Sequence, residues 1–304
     1  MTQTPAAVYP VDLHTHSTRS DGADTPMELL QHAAEAGLKI LALTDHDIIP
    51  EDPDGLRAAA KKLGIQVIPG IEISCDTNLE DVHLVCLGCD WSHPWFRTMM
   101  DDVVQSKIDG YGELLKRLTD AGMPVSWDEI VTPDGKIVPR DQVQKKMIFE
   151  LLAKKGFTET WQSAKLLVKN RPEFQVRRRK PDPREVIAHV HEAGGIVIQA
   201  HPWLVALPEA EHAAYLNGLI EAGLDGIEGS YTYDKTSYGG TMTPEEIEAI
   251  VRRDYAPRVS ILSGGSDYHA DARKGVKNAR QLGERGLTLD EFYGNSILTG
   301  LLSD

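Results

Sequence analysis

Val11-Asp12-Leu13-His14-Thr15-His16-Ser17 reads as a β-strand that closes on two histidines. Residues two apart on a strand face the same side, so His14 and His16 present two imidazoles to one point. Two further runs repeat the pattern, Leu43-Thr44-Asp45-His46-Asp47 and Ser266-Asp267-Tyr268-His269. Imidazole suits zinc, manganese and iron, and carboxylate suits harder ions. Asp21 sits in Arg19-Ser20-Asp21-Gly22, a predicted turn that folds a carboxylate back over the histidine pair. One His-x-His beside a turn is a weak signal. Three strand ends of this kind point to a metal site.

Strand and helix patterns alternate outward from these ends. Val8 to His14 is the first strand. Thr25-Pro26-Met27-Glu28 is a capping box with proline at the first helical position, and the helix it opens stops at Gly37. Ile40 to Thr44 is a strand and Pro53 to Leu63 a helix. Val67 to Ile73 reads as a strand broken or bulged at Pro69-Gly70. Asp81 to Leu87 alternates around His83. After Trp95 the texture changes, and residues 97–122, 141–155 and 158–169 read as helices. Asp182-Pro183-Arg184-Glu185 then caps a helix ending at Gly194-Gly195. Strands at 196–200, 225–228 and 259–262 follow, with helices at 208–222 and after the capping box Thr243-Pro244-Glu245-Glu246.

Such alternation predicts parallel pairing with right-handed crossovers. Polar residues gathered at the strand ends point to a barrel. Residues 1–96 and 181–304 are expected to form it, with 97–180 as an inserted helical subdomain.

The 304 residues are 41% apolar, and no apolar run approaches the ~20 residues of a membrane helix. Met1 to Pro10 has neither a basic region nor a long apolar core, so no signal peptide is predicted and a cytoplasmic location is expected. Cys75, Cys86 and Cys89 fit a reducing compartment. Cys86-x-x-Cys89 lacks a second pair and reads as small buried side chains. The net charge of −14 excludes wrapping of long nucleic acid. Residues 97–180 nevertheless carry 17 Lys+Arg against 12 Asp+Glu, a net of +5, and the remainder 15 against 34, a net of −19. A basic segment on an acidic body suits an anionic ligand, although a solvated helical face has the same composition.

The strand ends deliver His14, His16, His46, Glu72, His83, His201, Asp267 and His269, and the first loop adds Asp21. His32, His189, His191 and His212 fall within helix patterns and read as surface or packing residues. His93, beside Pro94, is unassigned. Nine ligands are too many for one tetrahedral ion and suit two or three. Three carboxylates and three divalent ions leave about +3, which a bridging hydroxide and a phosphate dianion bring to about zero. The site is built to accept a phosphate, and a neutral amide would leave it over-charged.

The motifs His14-x-His16, Asp45-His46, His201-Pro202 and Asp267-x-His269, in that order over nearly the whole chain, resemble those of the PHP family, the polymerase and histidinol phosphatase group. Within it the chain looks most like bacterial phosphoesterases that act on nucleotides, including nucleoside 3′,5′-bisphosphate phosphatases. The resemblance implies an α/β fold, a distorted (β/α)7 barrel with an inserted helical subdomain. It implies two or three manganese, iron or zinc ions. His14, His16, Glu72 and Asp267 would hold one, Glu72, His83 and His201 a second, and Asp21, His46 and His269 a third.

The implied reaction is hydrolysis of phosphate monoesters of nucleotides, such as AMP or nucleoside 3′,5′-bisphosphates. A metal-bridging water attacks, with Asp21 and His46 near the leaving group. Relatives place arginines in the insertion to grip substrate, whereas this chain has Lys107 and Lys145-Lys146, with Gly110 at a second such position. Lysine offers a point charge without the bidentate fork. Arg19 and Arg140 are further phosphate candidates, and Arg177 to Lys180 reads as solvent-facing. The expected partner is a small phosphorylated molecule, with no membrane role. The alternatives are histidinol phosphate, 5′-3′ exonucleolysis of short oligonucleotides, and a catalytically silent metal-stabilised scaffold. Trp203, Tyr231, Tyr233 and Tyr268 either stack on a base or serve as packing.

Overall fold

Seven strands pair in chain order: β1 (Val11–Asp12), β2 (Ile40–Leu43), β3 (Gln66–Ser74), β4 (His83–Leu87), β5 (Ile196–Gln199), β6 (Gly226–Ser230) and β7 (Ile261–Gly264). The structure is a computed structural model and describes residues 6–76, 82–132, 135–205 and 207–302. The sheet curls on itself. Leu13 N–H donates to Gly264 O at 3.1 Å, and Thr15 bridges in parallel to Tyr268. The result is a distorted, nearly closed barrel filled by Leu13, Ile40, Ile68, Val85, Ile198 and Ile261.

The pairing is not all parallel, as the alternation predicts, because β4 runs antiparallel to both β3 and β5. The reason is length. Only residues 75–82 join β3 to β4, and a parallel crossover needs about a dozen residues or more. This reversal puts the first residue of β4, His83, at the same barrel end as the last residues of its neighbours.

Two other expectations change. The first strand is shorter than Val8–His14, because Val8 and Tyr9 N–H groups bond to Gly283 O. β3 is continuous through Pro69-Gly70: Pro69 lies opposite Leu43, the last residue of β2, and Gly70 opposite Leu87 of β4. The proline falls where the strand acquires its second partner. Asp81 lies outside the described residues.

The helices start where the capping boxes put them. Thr25 and Glu28 cap α1 (Pro26–Ala36), which ends on Gly37 at φ 90°. α2 spans Pro53–Lys62. The chain divides into two compact units, Met1–Phe96 with Pro181–Asp304, and Arg97–Lys180. The second unit contains most of α3 (Pro94–Asp120), with α4 (Trp127–Val131), α5 (Lys145–Lys154) and α6 (Trp161–Asn170). It has its own core, including Leu114, Leu118, Ile148, Leu152, Val168 and Phe174. In the first unit follow α7 (Pro183–Glu192), α8 (Glu209–Glu221) and α9 (Pro244–Ile250). Cys75, Cys86 and Cys89 are buried and form no disulfide with one another, and burial pushes Cys89 up to about 12. No helix among the described residues is long and apolar enough to cross a membrane.

Candidate metal centre

Glu72, fully buried, lies at the centre of the site. Its Oε2 is 3.2 Å from His14 Nε2, 3.3 Å from His16 Nε2 and 3.0 Å from His46 Nδ1. Its Oε1 is 3.1 Å from His83 Nδ1 and 2.9 Å from His201 Nε2. On the far side, Asp267 Oδ1 is 3.1 Å from His16 Nε2 and 3.6 Å from His14 Nε2. Asp21 Oδ1 lies 2.9 Å from His269 Nε2 and 4.0 Å from His46 Nε2. All nine residues of the predicted constellation thus meet at one end of the barrel.

Three groups have donor atoms mutually within 4.8 Å: His14, His16, Glu72 and Asp267; His16, Asp21, His46 and His269; and His46, Glu72 and His83. The first is the predicted set. The second adds His16 to it, and the third has His46 where His201 was expected.

These separations suit ligation of a shared ion as well as hydrogen bonding. Two atoms each about 2.0–2.2 Å from one ion, at octahedral or tetrahedral angles, stand about 3.0–3.5 Å apart. Moreover, His14 Nε2, both ring nitrogens of His16, His46 Nδ1 and Glu72 Oε2 are buried without a hydrogen-bond partner among the described residues. Buried polar atoms are otherwise nearly always bonded. Imidazole and carboxylate are the donors that first-row divalent ions take.

Burial opposes the charge of Glu72, but His46, His14 and His83 outweigh it and hold the carboxyl well below its usual range. Burial also opposes protonation of His16, yet the Asp267 and Glu72 carboxylates raise it to about 9. Burial, with His16 and His83 against Glu72, takes His46 down to about 3.

The backbone is bent to serve the site. His201 has φ 28° and Asp267 φ 52°, both in the left-handed region, where non-glycine residues are strained. The His201 N–H donates to Glu228 Oε2 at 2.7 Å, and Glu228 Oε1 is 3.2 Å from His14 Nδ1. Gly265 permits the close approach of β7: a Cβ there would lie 2.4 Å from His14 Cβ. Asp45 turns away from the imidazoles and accepts from Ser17 N–H, Ser17 Oγ and Ser20 Oγ at 2.6–2.8 Å, fixing the loop that carries Asp21. Asp24 ties that loop to the next ligand pair, bonding Arg273 at 2.6 Å and Tyr268 Oη at 3.0 Å.

A cleft of about 250 Å³ opens over the metal groups, lined by His46, Glu72, His83, His201, Asp267 and His269 together with Lys235 and Arg280. Sequence reasoning missed Lys235, Arg280 and Glu228. Arg280 bonds Asp267 and reaches Asp271 at 2.9 Å. Lys235 follows β6, and loops at this end of a barrel carry function, so its position was the available signal.

Arg19 lines a separate cavity with Ile48, Pro50 and Glu51. Within the insertion, Lys107 Nζ donates to Asp141 O at 2.5 Å, Arg140 stacks 5.0 Å over Trp127, and Lys146 pairs with Glu150 at 3.4 Å. Desolvation and the charge of Arg178 lower Lys145, and Arg178 also lowers Lys107 after desolvation. The helical histidines have ordinary partners: His32 with Asp24, His189 with Glu192, His191 with Asp225, and His212 with Pro202 O.

Residues 12–176 match the model of the PHP domain, which is more than half of the chain. The chain belongs to the PHP domain family. The match takes in the candidate ligands from His14 to His83, and the fold brings His201, Asp267 and His269 to them from beyond it.

This PHP protein is 32% identical over 192 residues to the 5′-3′ exoribonuclease of Haemophilus influenzae, 63% of this chain and 68% of that one. It is 29% identical to the phosphoribosyl 1,2-cyclic phosphate 1,2-diphosphodiesterase of Eggerthella lenta, over 85% and 93% of the two chains. Identity to the 3′,5′-nucleoside bisphosphate phosphatase of Chromobacterium violaceum is 27%, over 87% and 89%. A crystal structure of a putative metal-dependent phosphoesterase from Bifidobacterium adolescentis superposes with a TM-score of 0.71 at 26% identity, covering 98% of each chain. The PHP protein is a metal-dependent hydrolase of phosphoester bonds.

Proposed function

We propose that this protein hydrolyses phosphate monoesters of nucleotides, such as AMP or nucleoside 3′,5′-bisphosphates, at a centre of two or three manganese, iron or zinc ions. The observation that carries the reading is the Glu72 carboxylate, surrounded by five imidazoles at 2.9–3.3 Å beneath a cleft that also bears Lys235 and Arg280. His14, His16, Glu72 and Asp267 would hold one ion, Glu72 and His83 with His46 or His201 a second, and Asp21, His46 and His269 a third. Such ions lower the pKa of a water and neutralise phosphoryl oxygens.

The residues of the chain do the rest. Lys235, paired with Glu284, and Arg280, paired with Asp267 and Asp271, line the cleft wall where equatorial phosphoryl oxygens would lie. Asp21, the most exposed member of the constellation, and His46 lie on the side proposed for the leaving group. The insertion, Arg97–Lys180, carries further basic residues. Arg178 opposes the charge of both Lys107 and Lys145 there, and an anion would relieve that opposition. A Cβ on Gly110 would lie 3.0 Å from Arg178 Cγ, so the Arg178 stem occupies the space beside that glycine. Lys146, Arg140 and Arg19 remain weaker candidates, each already engaged. The acidic body and the absence of a membrane-length apolar helix among the described residues fit a small partner in the cytoplasm.

A second reading, 5′-3′ removal of nucleotides from short oligonucleotides, is favoured by the Haemophilus influenzae relative. The test is turnover of AMP, adenosine 3′,5′-bisphosphate, histidinol phosphate, a ribose cyclic phosphate and a short 5′-phosphorylated oligoribonucleotide by one metal-loaded sample. Preference for either adenosine mononucleotide supports the proposal. Preference for the oligonucleotide transfers it to the second reading, and no turnover with intact metal binding leaves a silent scaffold.

A further inference from the structure

A second cavity, of about 740 Å³, adjoins the metal cleft, and Leu204 and Ser237 line both. Its volume is within the ~300–1,000 Å³ of small-molecule sites. Trp203, Tyr238 and Tyr255 contribute aromatic wall, and Ala213 and Met242 contribute aliphatic wall. The Trp203 ring is held by His212 at 4.6 Å and Tyr255 at 6.2 Å.

Charge separates the two spaces. The cleft holds the candidate metal ligands, with Lys235 paired to Glu284 and Arg280 paired to Asp267 and Asp271, so its pull on an anion would come from bound divalent ions. In the second cavity Arg253 is neutralised by Asp254, bonded twice at 2.6 Å, which leaves Glu209 as the remaining charge. An anionic phosphate is attracted to the first space and repelled from the second. An uncharged planar group gains from aromatic walls.

We propose that the cavity walled by Trp203, Tyr238 and Tyr255 binds the purine or pyrimidine base of the substrate while the phosphate lies over the metal groups. The proposal rests on the nucleotide reading above. It makes the enzyme selective for nucleoside phosphates over bare sugar phosphates.

The experiment compares AMP with ribose 5-phosphate as substrates of the metal-loaded wild type and of Ala213→Phe, which fills the cavity from α8. In parallel, binding of adenosine alone is followed by ligand-observed NMR. The wild type is expected to favour AMP by at least about tenfold in kcat/KM. Ala213→Phe is expected to abolish that preference, to leave ribose 5-phosphate turnover within about twofold, and to lose the adenosine signal. Equal loss on both substrates, or no change on either, overturns the proposal. If the wild type hydrolyses neither ester, the nucleotide phosphatase reading fails, and adenosine binding decides the cavity by itself. Binding lost in Ala213→Phe sustains it, while binding unchanged or undetected in the wild type overturns it. Should Ala213→Phe not fold, Trp203→Ala carries the same comparison, with a raised KM for AMP alone as the expected result.

Discussion

His14 Nδ1 lies 3.2 Å from Glu228 Oε1, and the other oxygen of that carboxylate accepts the His201 backbone N–H at 2.7 Å. One acid therefore orients one imidazole and pins the strained backbone of another. Carboxylates in this position raise ligand basicity and fix the ring. Glu228→Gln keeps the size and an acceptor but removes the charge. It is expected to weaken metal binding by about 10–100-fold with little loss of fold. Chelator competition beside a thermal melt measures the two effects separately.

Gly265 lies against His14 so closely that a Cβ would sit 2.4 Å from His14 Cβ and 2.6 Å from its backbone nitrogen. Gly265→Ala must move one strand end. A loss of about 1–3 kcal/mol in urea unfolding is expected, with reduced metal content. A stability equal to wild type contradicts this packing.

Divalent ions that bind the folded chain and not the unfolded one stabilise it by mass action, about 2.7 kcal/mol at a hundredfold excess over Kd. Chelator treatment is therefore expected to lower Tm by several degrees, and manganese, iron or zinc to restore it. An unchanged Tm on metal removal argues against a site built by the fold.

Burial lowers the pKa of His212, against the pull of its bond to Pro202 O at 2.9 Å. The unfolded chain then takes the proton first, from about pH 6.5 downward. Stability is full above that pH and falls as pH drops toward the folded-state value, by at most one proton per step. His212→Gln can keep the donor without titrating. Its unfolding free energy is expected to depend less steeply on pH between 7 and 5 than that of the wild type.

The capping boxes at Thr25 and Thr243 put helix starts in the sequence, and alternating strands put the barrel there. Most of the candidate ligands were legible because they lie in or just after a strand pattern, and Asp21 because it lies in a turn. The reversal of β4 was not, because its cause is the short link 75–82, a length constraint rather than a residue type. His83 reaches the cluster for a different reason from the one the pattern supplies: it begins its strand instead of ending it. Glu228 looked like any acid in a strand, and its role appears only once the fold sets it between His14 and His201. Lys235 and Arg280 sit in loops without periodicity, so no local pattern pointed to them.

The most direct test is elemental analysis of metal-replete protein, wild type against Glu72→Ala. About two to three ions per chain are expected in the wild type, and at least one fewer in Glu72→Ala, with loss of phosphoesterase activity. A wild type that holds no ion, or a Glu72→Ala protein with undiminished metal and activity, contradicts the convergence of these side chains on a shared metal centre.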